Sequence, residues 1–417
     1  MATVRKLGAT AWVVYGVGSS GYVLMIPVIG YATYFHTQIA GGGPEAATYW
    51  AVAVAGALLV AGLVAPFLGA FADGRGKRRQ VLLLFTALAC ISTAALTLVR
   101  PGEIVAGMAV FIAAHTAFLL AKAIYDSYLP ALGAPSSLSV ISGLGWGLGY
   151  LGSVVCFFLC LPFIEGGAEN IDPATFSLSF LVTGVFFACF SLPLVFLFPR
   201  DDIPVRNIAG PGAFQRLRTT LAQWRQHREI LHFLLAFYLI NDAVVTILFF
   251  IGIFFKTNFG LSVEEILKLT LLFFLVGIPA TIGFGWLGRV WSERGALFVT
   301  LLIWLILIAI MALGHGESVP LIVAIIAGLV IGSSQSLCRS IYAQIIPADR
   351  SSEFFGFNAL VGRASAALGP LVFGVVNAAT GSQRMAMASI GGFIVLGGLV
   401  LAYQRPTQRS QSQPASA

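Results

Sequence analysis

The chain has 417 residues, of which 58% are hydrophobic and only 10% charged. A soluble domain carries about 25% charged residues, so a water-soluble enzyme or binding module is excluded. The net charge of +7 calls for no nucleic-acid partner, because the cations gather in short polar segments between apolar runs, as membrane topology requires.

Apolar runs of about 20 residues, each able to cross a bilayer as a helix, recur along the whole chain. They fall at 9–36, 48–71, 80–99, 103–129, 137–161, 176–198, 230–255, 263–287, 296–313, 319–346, 354–379 and 385–403. The expected fold is an all-α membrane protein with twelve transmembrane helices in two six-helix halves, 1–199 and 230–404. A linker at 200–229 joins the halves, and a polar tail rich in Gln and Ser, 405–417, is expected to be disordered. The first run follows Arg5 and Lys6 but is too long for a cleaved signal peptide, so it is read as a retained span.

In chain order, the loop after span two reads "GAFADGRGKRR" at 69–79, with Gly69, Asp73, Gly76, Lys77 and Arg78 spaced across a helix end and a turn. Gly69 permits close helix approach, Asp73 suits the start of a partner helix, and the cations hold the loop at an anionic membrane face. Span four carries His115, Lys122 and Asp126; the last two are four residues apart and can pair along one face. They either snorkel to the near membrane surface, form a gate, or touch substrate. A buried histidine such as His115 serves either as a packing residue or as a proton relay. Span five has Gly143, Gly145, Gly147, Gly149 and Gly152, a smooth face for helix packing.

The linker places Phe214, Leu217, Leu221 and Trp224 at helical spacing among arginines. It reads as a helix in the membrane interface or as a plain linker. Span seven holds Asn241 and Asp242, the latter about 20 Å from one end at 1.5 Å per residue, near the midplane. Arg339 in span ten and Arg363 in span eleven complete the intramembrane charges. Such charges are expensive and usually face a partner or a wet cavity. Asp242 is either a proton carrier or a fixed partner of Arg339 or Arg363. All five cysteines fall inside predicted spans and read as packing residues. No metal-ligand spacing, nucleotide-binding loop, nucleophile elbow or large extracellular segment appears, so no metal or cofactor is expected, and neither a membrane enzyme nor a receptor is favoured.

Seventeen Lys and Arg fall on the side of the 69–79 loop and four on the other, which predicts cytoplasmic N- and C-termini.

The chain also repeats itself. "AKAIYDSYLPAL" at 121–132 matches "LCRSIYAQIIPAD" at 337–349 with an offset of 217, pairing Lys122 with Arg339 and Tyr125 with Tyr342. Gly145 and Gly152 match Gly362 and Gly369 at the same offset. Parallel halves of this kind are one transporter architecture. The 69–79 loop resembles the signature loop of the major facilitator superfamily. The second half has "GFGWLGRVWSERG" there, with Leu287 at the acid's position. "YGVGSSGY", "GLGYLG", "QSLCRSIYAQIIP" and "EFFGF…LGPLVFG" resemble the vacuole-effluxer-like branch of that superfamily over nearly the whole chain, although Gly16 and Ser19 stand where that branch tends to carry an acid and an amide. The resemblance implies a secondary transporter in which spans one, four, seven and ten line the path. Asp242, Asn241, His115 and Arg363 would serve proton coupling or the substrate cavity. Gly69, Asp73, Gly76, Lys77, Arg78, Lys122, Asp126 and Arg339 would form the gate. The expected substrate is a small polar solute, amino acids first and sugars or drugs as alternatives. Protons are the expected coupling ion, and a monomer in a bacterial inner membrane is the expected setting.

Overall fold

A computed structural model describes residues 2–166, 171–197, 212–222, 224–366 and 368–403. The start of the linker at residue 200 and the tail at 405–417 lie outside the described residues. With no water in the bilayer core, each spanning segment must satisfy its backbone internally, and helices do so. The described residues contain twelve helical stretches long and apolar enough to cross a membrane, and no strand.

Span one is α1 (Ala2–Val23), a π turn at Leu24–Val28 around Pro27, α2 (Gly30–Tyr34) and a second π turn at Phe35–Ile39. Spans two to six are α3 (Pro44–Arg75), α4 (Arg78–Ala95), α5 (Ile104–Asp126), α7 (Leu138–Ile164) and α8 (Pro173–Leu197), with a short α6 (Leu129–Leu132) after span four. The linker helix α9 (Ala213–Ala222) precedes α10 (Arg228–Phe259), α11 (Val263–Val290), α12 (Glu293–Leu313) and α13 (Val319–Ile345). Span eleven is broken into α14 (Ser351–Ala364) and α15 (Leu368–Thr380), and α16 (Gln383–Tyr403) is the last. Local chemistry sets several ends. Ser262 and Glu265 form a capping box at the start of α11. Gly76 ends α3 in the left-handed region, φ 60°, which favours glycine, and its N–H reaches Ala72 O. The break in span eleven falls just before Gly369 and Pro370, where a sequence run read as continuous meets two helix breakers.

Helices α1 to α8 pack among themselves, chiefly α1 on α7 and α8, and α4 on α5 and α8. Helices α10 to α16 do likewise, with α10 on α16, and α12 on α13 and α16. The two sets meet through α3 on α14, α7 on α11 and α13, and α5 on α14. These contacts concentrate at the end holding the 69–79 loop, called here the basic end. There, one buried core runs from Trp12 and Tyr125 through Leu337 and Tyr342 to Phe354. Towards the other end the second set has its own core around Trp304, Phe373 and Met387, and α15 packs on α16 and α10. Leu59, Val105, Leu302 and Val375 stand exposed on the outer faces, as lipid contact requires.

Candidate functional site

The basic end is closed by interlocking contacts. Gly69 lies directly under the first turn of α14: a Cβ there would collide with Ser352 O and stand 2.8 Å from Glu353 N. Asp73, one turn later on α3, accepts from Arg78 Nε at 2.5 Å and from Glu353 N at 2.9 Å. Its carboxylate thus caps the start of α14 across the halves, where a helix's free N–H groups and dipole favour an anion. Arg78 also donates to Ala348 O at 3.2 Å. Gly76 makes the turn that brings Arg78 back. Glu353, fully buried, accepts from Arg350 at 2.8 Å and from Thr220 of α9. The linker helix, expected at the membrane interface, is therefore tied to this cluster through its buried Thr220, while Phe214 stacks on Phe67.

A second cluster lies deeper. Lys122 Nζ is 2.5 and 2.6 Å from the two oxygens of Asp126, and Arg339 NH1 is 2.8 Å from Asp126 Oδ1. The two cations matched by the repeat thus converge on one carboxylate, and Asp126, like Asp73, joins the halves. Arg339 also donates to Ser142 Oγ and Ser142 O, both at 3.0 Å, and its guanidinium sits 4.6 Å over the Trp12 ring. Trp12 is held in turn by its Nε1 bond to Tyr125 O and by stacking on Tyr125. Ser127 and Ser352 share a hydrogen bond at 2.9 Å beside this cluster. Neither Lys122 nor Asp126 snorkels free of partners.

The α7–α11 contact is the counterpart of α3–α14, and hydropathy could not have located it. Gly285 lies under the first turn of α7, where a Cβ would be 2.6 Å from Ser139 O. Leu287 joins the core, and the acid on this side is Glu293, six residues on. It packs against Gly288 beside Ser139 and accepts from Gln344. The span-five glycines divide by register. Gly143 and Gly147 abut α11, where an added Cβ would stand 2.8 Å from Thr281 O and 2.9 Å from Ile278 O, whereas Gly145 and Gly149 abut α1 at Trp12 and Ser20.

Above the second cluster lies a cavity of about 180 Å³ between α1, α5 and α7 on one side and α11 and α13 on the other. Lys122 and Arg339 form its floor together with Tyr125; Phe118, Trp146, Tyr150, Phe274 and Leu24 line the walls, with Ser19 and Ser153 as small polar contacts. Drug-sized ligand sites measure about 300–1,000 Å³, so this one suits a small solute.

The four residues expected as one cavity set lie elsewhere. None is among the residues lining this cavity. His115 lies in an aromatic stack between Phe111 and Phe118, with Nδ1 3.3 Å from Tyr22 Oη. Asn241 and Asp242 hold the break in span eleven. Asn241 Nδ2 donates to Gly362 O at 3.2 Å and Ser365 Oγ at 2.7 Å, and its Oδ1 accepts from Gln335 at 2.9 Å. Asp242 Oδ1 accepts from Gly369 N at 2.9 Å, while Oδ2 and Thr246 Oγ1 are buried without a hydrogen-bond partner among the described residues. Neither candidate cation pairs with it. Arg339 is on Asp126, and Arg363 reaches across to Leu119 O at 3.2 Å, with Nε and NH1 left without a hydrogen-bond partner among the described residues.

The sequence matches the family described as "Vacuole effluxer Atg22 like" over residues 35–414. The chain belongs to that family. A relative of this Atg22-like chain is the uncharacterized MFS-type transporter YxiO of Bacillus subtilis, 25% identical over 97% of this chain and 96% of its own length. Autophagy-related protein 22-1 of Aspergillus niger is 24% identical over 61% of this chain. The Atg22-like match covers only 45% of that fungal protein, so the chain spans about half the length of such relatives. Among solved structures the E. coli fucose:proton symporter FucP superposes with a TM-score of 0.76 at 11% identity, covering 97% of this chain and 98% of that one. The Atg22-like chain has the major facilitator fold.

Proposed function

We propose that this multi-pass membrane protein is a non-enzymatic secondary carrier that moves a small polar solute, amino acids first, by alternating access coupled to protons. The observation that carries this reading is the asymmetry of the interface between the halves. At the basic end they are locked by Asp73–Glu353 N and Asp126–Arg339, and a cavity of small-solute size lies immediately behind the second lock. An equilibrium between this arrangement and its opposite, with the basic end open, would carry a solute across.

The excess of cations at the basic end supports a cytoplasmic location for it and for both termini. The likeness to a bacterial relative over its full length supports an inner-membrane setting. The halves are 1–199 and 230–404, each contributing one wall of the path, and the unit is a monomer. Gly69, Asp73, Gly76, Lys77, Arg78, Lys122, Asp126 and Arg339 act in the gate. Asp242 is assigned the coupling proton, because its charge can be removed without breaking an ion pair. Its place at the α14–α15 break would transmit that change to the outer half of span eleven, with Asn241 holding the inner side. His115 on span four, and Arg363 bound to Leu119 O of the same span, act as the packed wall on that side of the path.

The test is uptake into vesicles of purified protein across a panel of amino acids and sugars, with and without a pH gradient. Gradient-stimulated accumulation of an amino acid is expected. Accumulation indifferent to the gradient would remove the proton, and no flux of any solute would remove the carrier reading.

A further inference from the structure

The two cations in the cavity floor are not fully spent on Asp126. Lys122 has three donors and Arg339 five. Lys122 directs two of its contacts to the single Asp126 carboxylate, and Arg339 uses Nε, one N–H of NH1 and one of NH2 on Asp126 and Ser142. N–H groups therefore remain on both cations, and both side chains line the cavity. None of the described residues lining that cavity is acidic. Directly above stand Phe118, Phe274, Leu24 and Val28, with the Trp146 and Tyr150 rings closing the side. The site thus offers a cationic floor and an apolar, aromatic chamber, and it is too small for a large ligand. Guanidinium groups engage carboxylates through charge-assisted N–H bonds, and Asp126 takes only one of them from Arg339, through NH1.

We infer that the cavity binds a small monocarboxylate with a short apolar or aromatic tail, and that its carboxylate competes with Asp126 for Arg339. This rests on the carrier reading above and names the substrate chemistry of the same cavity. Asp126–Arg339 is a bond between the halves. A carboxylate that takes over Arg339 leaves Asp126 to Lys122, within its own helix, and so removes one lock of the basic end at the moment the cavity fills. Binding and unlocking become one event, which is the differential interaction that a substrate needs to shift a two-state equilibrium. An α-ammonium group is tolerated by the serine hydroxyls but is not required, because nothing acidic lines the chamber. The chemistry is shared by amino acids with apolar side chains and by simple organic acids.

Calorimetric titration of the purified full-length protein in detergent separates these sources without relying on flux. The ligands are L-leucine, 4-methylpentanoate and 3-methylbutylamine, which share a tail and differ in head group. Both carboxylates are expected to bind and the amine not to. Binding of 4-methylpentanoate alone upholds the inference and moves the substrate from amino acids to organic acids. Binding of the amine, binding of leucine alone, or silence of both carboxylates overturns it. The second arm is Asp126→Asn, which removes the internal competitor. Carboxylate affinity should rise about tenfold if Asp126 holds Arg339 nine-tenths of the time, whereas unchanged or weaker affinity in a folded variant overturns the competition. Arg339→Gln should abolish binding, and the wild-type ligand series stands even if that variant does not fold. Carboxylate binding without flux would sink the carrier reading alone, and flux of an uncharged solute without carboxylate binding would sink this inference alone.

Discussion

Replacing Gly69 by alanine tests whether the α3–α14 contact is a gate or a static packing surface. The added methyl would stand 2.8 Å from Glu353 N and closer still to Ser352 O. Ordinary contact begins at about 3.5 Å, so the two helices must part by about 1 Å. Both neighbours are backbone, so no side chain can swing away. A separation of that size strains the Asp73–Glu353 N bond, now 2.9 Å, and the Ser127–Ser352 bond, also 2.9 Å. Overpacking of this kind costs about 1–3 kcal/mol. Because the cost falls only on the state in which the basic end is closed, it shifts the equilibrium about 5- to 150-fold towards the open state. The assay is labelling of Ser127→Cys, in a background with the native cysteines replaced by alanine, by an impermeant thiol reagent applied from the basic side. Ser127 is buried at this contact, so labelling reports opening. Gly374→Ala on α15 is the control, since a Cβ there meets nothing within 4 Å. Labelling of the Gly69→Ala variant at the rate of the control would refute the argument.

Asp73→Asn should leave the protein inserted and folded while slowing transport at matched expression, because it removes the charge that holds Arg78 and the start of α14; losing one partner of a buried pair costs up to about 3–5 kcal/mol in the closed state. A wild-type rate would contradict this. Asp242→Asn should abolish uphill, gradient-driven transport yet retain exchange of solute down its own gradient. Loss of both modes would assign Asp242 to the structure of the span-eleven break, and retention of both would free it of any coupling role. His227, outside the spans, has its pKa lowered by burial and then by Arg350. Below the ordinary histidine value near 6.5, the unfolded chain therefore takes up a proton that the folded one resists. Stability should fall as pH drops through that range and be fully present above it. Thermal unfolding of His227→Gln should show a flatter dependence between pH 7 and pH 5, and an unchanged slope would show that His227 contributes nothing.

The twelve spans were legible because a bilayer imposes length and hydropathy on every crossing segment. Asp73 was legible because a polar loop with fixed spacing survives between two apolar runs. The partners across the halves were not. In a membrane the lipid-facing and core-facing sides of a helix are both apolar, so periodicity does not say which side is buried. Ser352 and Ser139, the backbone floors under Gly69 and Gly285, carry no compositional mark. Glu293 was hidden because the acid of the second half comes from the helix after the loop, where the repeat offset does not look. Asp242 is buried, as a carboxylate inside an apolar span leads one to expect, but its Gly369 contact depends on span eleven being broken. The only warning of that break was the Gly369–Pro370 pair inside an otherwise uniform run.

The register of the span-five glycines has a consequence for how sequence change can act. Gly143 and Gly147 touch α11 of the other half, whereas Gly145 and Gly149 lie chiefly against α1 of their own bundle, with Arg339 also close to Gly145. On the carrier reading, two traits are thus written on alternate positions of one helix: bulk added to the first pair biases which conformation predominates, and bulk added to the second undermines the bundle itself. The first pair can drift under selection for turnover while the second is held by the need to fold, so conformational bias is tunable without loss of the scaffold.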